Sequence, residues 1–204
     1  MTTTHVEARP TTFAGTRPSV SPVLADWRAW VTNHWFGASL IAGFVATHLA
    51  TVFGLFFRGI GVPNLNWPLT NGLLALGSNA SATAQFWVGE FIHGIDGIVF
   101  TFLFALLIHP RIPLRNTPAG NMVKAVGFSV VLAIISAGFL VPYVYYPHSG
   151  AGVFSFDAAK SFGLADAGWK VPFAILLWHL VYGFFLGTLY NPNPWDEPRV
   201  DVRL

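Results

Sequence analysis

The chain contains no cysteine, two methionines and few charges: Asp, Glu, Lys and Arg together make up 10% of its 204 residues. Without cysteine it can form no disulfide, bind no zinc through thiolates and ligate no iron–sulfur cluster. A water-soluble domain carries about a quarter charged residues, so the deficit points to a membrane protein. A formal charge of +2 and the lack of any basic run with interleaved aromatics exclude a nucleic-acid surface. No Gly-rich phosphate loop or Ser–His–Asp pattern occurs. Glu90-x-x-His93 appears once, where a di-iron carboxylate bundle needs that pair twice.

Apolar residues are what the chain has in excess: 53% of it is hydrophobic and 16% aromatic. A span of hydrocarbon needs about 20 mostly apolar residues. Four segments qualify, 35–57, 86–109, 120–146 and 171–190. The expected fold is therefore all-α, a four-helix transmembrane bundle over 31–192 with polar tails at 1–30 and 193–204. Arg9, Arg17, Arg28, Arg111, Arg115, Lys124, Arg199 and Arg203 fall on one side, against Arg58, Lys160 and Lys170 on the other. That bias predicts both termini in the cytoplasm. Trp35, Trp67, Trp87, Trp169, Trp195 and the Tyr143–Tyr146 cluster suit interfacial belts. Two long outer connections, 58–85 and 147–170, contain "LTNGLLALG" and "FSFDAAKSFGLADAG", both suited to short helices at the outer surface.

The second and fourth spans share a pattern, "HGIDGIVFTFLFALL" beside "HLVYGFFLGTLY", which suggests two repeated helical hairpins. In each, His is followed four residues later by Gly: His93 by Gly97, and His179 by Gly183. Residues four apart share a helix face, so the glycine leaves space for a neighbouring backbone or for a flat ligand.

Depth singles out the candidate site. Counted at about 1.5 Å per residue from the outer helix ends, His48 lies roughly 13 Å down, His93 roughly 10 Å and His179 roughly 12 Å. Glu90 and Asp96 bracket that level, and Ser136, Ala137 and Gly138 on the third span leave room beside it. Ionisable residues inside a membrane are costly and point to function. His48, His93 and His179 can supply the two axial imidazoles of a haem b. With Glu90 or Asp96 they form a donor set for copper, iron or zinc. A proton or quinone pathway uses the same groups, and mutual pairing or contact with a partner subunit would satisfy them with no cofactor at all. His34 and His109 fall at helix ends within reach of water. The fourteen-residue spacing of His34 and His48 also suits a two-haem helix, although the inner site has only His109 to offer. Tyr182 can hydrogen-bond at the site or simply pack. "NAS" at Asn79–Ser81 matches a glycosylation sequon by formula alone.

At "SLIAGFVATHLAT", "IHGIDGIVFTFLFALLIHPRIP" and "LLWHLVYGFFLGTLYNP" the chain resembles an uncharacterised family of small four-helix prokaryotic membrane proteins. The resemblance spans most of 38–192 and is sharpest at His179-x-x-Tyr182-Gly183-x-x-x-Gly187 with Tyr190. It implies the architecture and an accessory place in respiratory membranes, and no mechanism. The expected function is a small integral subunit of an electron-transfer or oxidase-type complex, bound to lipid and to other membrane subunits, with an outer-leaflet histidine cluster for haem b or a metal. A stand-alone metalloenzyme or b-type cytochrome is the competing expectation, and a transporter is third.

Overall fold

The computed structural model describes residues 21–114, 117–145 and 168–192. These residues form six α-helices and no strand. They are α1 (Pro22–Asn33), α2 (Trp35–Leu55), α3 (Trp67–Leu76), α4 (Ala82–Leu103), α5 (Pro118–Ile135) and α6 (Lys170–Leu189). A π-helical turn, Phe104–Ile108, prolongs α4, and a longer π-helical stretch, Ser136–Tyr145, prolongs α5. Four of the helices are long and apolar enough to cross a membrane: Trp35–Leu55, Ala82–Ile108, Pro118–Tyr145 and Lys170–Leu189. The expected transmembrane bundle is what the chain builds.

Local chemistry sets the helix ends. Asn66, Ser81 and Thr117 each accept a backbone N–H of the following turn, from Leu69, Ala84 and Gly120 respectively. Such caps satisfy amides that have no partner inside the helix. Pro22, Pro68 and Pro118 occupy first turns, where the missing N–H costs nothing. Pro142 lies inside the stretch that departs from α-helical bonding, as expected of a residue that cannot donate to the ladder. Ser81 is thus a helix cap, and α4 begins four residues before the apolar run that announces it.

The helices are arranged in an arc. α4 packs on α3 and α2, α2 on α6, and α6 on α5. One face of α2 is a stripe of small residues, Ala38, Ala42, Ala46 and Ala50, all fully buried. Two hairpins use the same packing device. A Cβ on Gly97 would strike Thr47 and the carbonyl of Gly43; a Cβ on Gly183 would strike Ser129 and the carbonyl of Ala125. In both cases the glycine four residues after the histidine admits a neighbouring helix, so close helix approach accounts for the motif.

Three sequence expectations change. The 1–30 segment is not all tail, because α1 occupies Pro22–Asn33 and docks beneath α6. Trp27 Nε1 donates to the Leu189 carbonyl at 2.9 Å and Arg28 Nη2 to that of Pro192 at 3.2 Å. Trp67 is not in an interfacial belt but buried, at the start of α3. Trp35, Trp87 and Trp169 do keep exposed rings, as belt residues would. His109 is buried rather than reaching water. The expected helix in "FSFDAAKSFGLADAG", the charges Asp157, Lys160 and Asp166, and Tyr146 and Trp195 lie outside the described residues.

Candidate functional site

α4 and α5 are consecutive in the chain yet pack on different neighbours. They meet chiefly at the end that carries α1, where the ring of Phe104 in the π turn packs at a tilt against Phe128, centroids 5.6 Å apart. Away from that end they leave a chamber of about 280 Å³ between them, backed by α2 and α6. From α4 come His93, Asp96, Gly97 and Phe100; from α6, Trp178, His179 and Tyr182. Leu132, Ile135, Ser136, Leu140 and Tyr145 form the α5 side, Thr47 the α2 side, and Trp67 of α3 closes the remaining wall. The π-helical stretch contributes three of these, and π segments in natural helices cluster at functional sites.

Three of the five expected site residues border this chamber: His93, Asp96 and His179. They lie near the middle of their spans. His93 and Asp96 bracket the centre of Ala82–Ile108, and His179 is nine residues into the twenty of α6. Because α4 starts early, at Ala82, His93 lies further from its helix start than the apolar run implies, while His179 keeps its place on α6.

The imidazoles are held differently. His179 Nδ1 donates to the Ile175 carbonyl at 2.8 Å, so in a neutral ring Nε2 carries the free lone pair. Trp178 is the common neighbour of the two chamber histidines, with ring centroids 5.2 Å from His93 and 5.0 Å from His179. The His93 Nε2 atom is buried and has no hydrogen-bond partner among the described residues. Such an orphan costs about 1–3 kcal/mol. Tyr182 both packs and bonds: its hydroxyl donates to the Gly97 carbonyl at 3.0 Å and stands 3.0 Å from Thr101 Oγ1, tying α6 to α4.

His48 and Glu90 are elsewhere. Thr47 borders the chamber; His48, one residue on, is turned about 100° around α2 and lies against Gly94 of α4. Its Nδ1 donates to the Phe44 carbonyl at 2.8 Å, and its Nε2 is 2.8 Å from Glu90 Oε1. The pair is only partly covered, with the His48 side chain 34% exposed and that of Glu90 13%. So the structure joins His48 to Glu90 and brings His93, His179 and Asp96 to the chamber, which the first pair does not line. Among the described residues, no three His, Asp or Glu side chains are grouped so that they could hold a metal ion.

The two-haem spacing finds no support either. His34 is exposed, stacked on Trp30 at 5.2 Å with its Nδ1 donating to the Trp30 carbonyl, while His109 is already engaged. His109 Nε2 donates to Asn121 Oδ1 at 2.9 Å, and Asn121 Nδ2 donates to Asn191 Oδ1 at 2.6 Å. Lys124 Nζ donates to the His109 carbonyl at 3.3 Å. Burial holds the His109 imidazole below its ordinary pKa; the Asn121 bond works the other way and the Lys124 charge adds to the depression. Beside it, burial pushes the Tyr190 hydroxyl up to about 12.

Sequence reasoning passed over Thr47 and Trp178, and assigned Trp67 and Tyr145 to interfacial belts rather than to the chamber. The one available signal was Trp178, next to His179 on a helix with few polar residues. No protein-family model, curated protein or solved structure matches the chain. Its own geometry is therefore the guide to its role.

Proposed function

We propose that this protein is a small integral subunit of an electron-transfer or oxidase-type membrane complex. The observation that carries the subunit reading is the His48–Glu90 pair, part-exposed on the outer face of the α2–α4 hairpin, a few residues from the middle of both spans. Hydrocarbon does not solvate an ion pair or a carboxyl group, so another protein span covering it is the economical arrangement. Large apolar side chains around it, among them Phe44, Phe91 and Ile95, are exposed and suit contact with such a span. The resemblance to small four-helix membrane proteins supports the same role. The chamber, with two imidazoles and a carboxyl group midway along the spans, supports a redox setting.

The test is purification of the tagged full-length chain from its native membrane in a mild detergent. Stoichiometric partner subunits are expected, and they should be lost when both His48 and Glu90 are replaced by Leu. A stable, monodisperse single chain carrying no partner would overturn this reading.

A stand-alone b-type cytochrome is the second reading, favoured by the two imidazoles that α4 and α6 bring to the chamber. The donors fit an axial pair; the space does not, since about 280 Å³ is at the low end for ligand pockets and a porphyrin is a large ligand. A dithionite-reduced minus oxidised spectrum and metal analysis of the same sample decide between the two. A haem b band lost in both His93→Ala and His179→Ala would establish the second reading.

A further inference from the structure

We propose that the chamber takes a quinone-type ligand, a flat ring bearing exchangeable carbonyl and hydroxyl oxygens on an apolar tail, admitted sideways from the bilayer between α4 and α5. This deepens the redox reading given above and rests on it.

Size favours a single ring over a porphyrin or a folded lipid. The chamber is about 280 Å³, and five of its fourteen lining residues are Trp, Tyr or Phe: Trp67, Phe100, Tyr145, Trp178 and Tyr182. Trp178 and Tyr182 lie parallel within 6°, their centroids 6.0 Å apart. Flat faces of this kind suit a flat guest.

The polar complement is the second argument. An alkyl chain would leave His93 Nε2 without its hydrogen bond, and a fatty acid would set its carboxylate beside Asp96. A quinone carbonyl accepts a hydrogen bond, and the hydroxyl of its reduced form donates one. The chamber holds both kinds of partner. His93, buried and with Nε2 unpartnered among the described residues, can donate. His179, whose Nδ1–H is committed to the Ile175 carbonyl, offers Nε2 as an acceptor. A ligand that alternates between acceptor and donor uses both.

The third argument is the route in. Because α4 and α5 pack on different helices and meet mainly at one end, the chamber wall between them includes Ile135, which is 46% exposed. Val99, Leu103 and Phe139 are also exposed on these two helices, and all are uncharged. A molecule dissolved in hydrocarbon meets these apolar side chains first, and Asp96, part-buried on the same face of α4, is the polar group it passes on the way in.

The test uses the full-length protein in detergent and a short-tailed benzoquinone as probe, followed by quenching of tryptophan fluorescence. Saturable quenching is expected in the native chain. Ser136→Phe, which fills the chamber, and Ile135→Phe, which obstructs its side, should each weaken binding about tenfold or more. Phe184→Leu, on an exposed position away from the chamber, should not change it. Should Ser136→Phe fail to fold, Ile135→Phe carries the test alone, since its side chain is already at the surface. Quenching that rises linearly and equally in all three variants would overturn the proposal. So would a haem band that disappears in His179→Ala. Saturable binding by a chain that purifies without partners would leave this inference standing and remove the subunit reading; partners without saturable binding would do the reverse.

Discussion

Two buried polar clusters, one at each station along the same bundle, make an instructive contrast. At the end carrying α1, His109, Asn121, Asn191 and Lys124 bond to one another and to backbone, and α5, α6 and the π turn are closed together there. Midway along the spans, His93 and His179 border the chamber, one with a nitrogen unpartnered among the described residues and the other with its Nδ1 engaged. A saturated cluster leaves nothing for a ligand and acts to hold helices. A cluster with spare hydrogen-bonding capacity contributes little to the bare fold and is disposed toward a guest.

The sharpest way to break that contrast is Asn121→Leu. It leaves His109 and Asn191 buried and unbonded, and should cost about 3 kcal/mol of stability, read as a large fall in the thermal midpoint of the purified protein. Next in size is Glu90→Leu, which strands His48 and should cost about 1 kcal/mol, the scale of polar contacts between membrane helices. Adding His48→Leu should recover part of that loss, and a double variant as unstable as the sum of the singles would show the pair to be uncoupled.

The pH response is smaller and has a definite sign. His109 is held below its unfolded pKa, so the unfolded chain takes up its proton first. Its contribution to stability is whole above about 6.5, the ordinary imidazole value, and is lost as pH falls toward the depressed folded value. Thermal midpoints measured across that window should decline on acidification, and His109→Gln should flatten the decline. The smallest effect is expected at His93→Phe. Removing an orphaned polar atom relieves its desolvation cost, which offsets the packing lost, so the change should be neutral to stabilising; a fall matching that of Asn121→Leu would erase the distinction between the clusters.

How much of this could be read in advance follows from helix geometry. Runs of apolar residues disclosed the four spans, and counting along them brought His93 and His179 to one level. Rotation about the helix axis was hidden. Thr47 and His48 differ by one residue and by one wall of α2, and only packing decides which of them borders the chamber. α1 was invisible for a related reason: its anchors are Trp27 and Arg28 reaching backbone carbonyls 162 and 164 residues away, which no local pattern encodes. The burial of His109 depends likewise on Asn121 and Asn191 arriving from two other segments. Ser81 is of a residue type that caps helix starts, but without Glu or Gln three residues later, where Ala84 stands, the local sequence does not single it out.

The gap between α4 and α5 is framed rather than hinged. At one end Phe104 meets Phe128; at the other, Trp67 of α3, which packs on α4, lies 5.8 Å from Tyr145 of the π-helical stretch. The chamber lies between these two ties, so its width is set from both ends, and a guest is selected by its thickness.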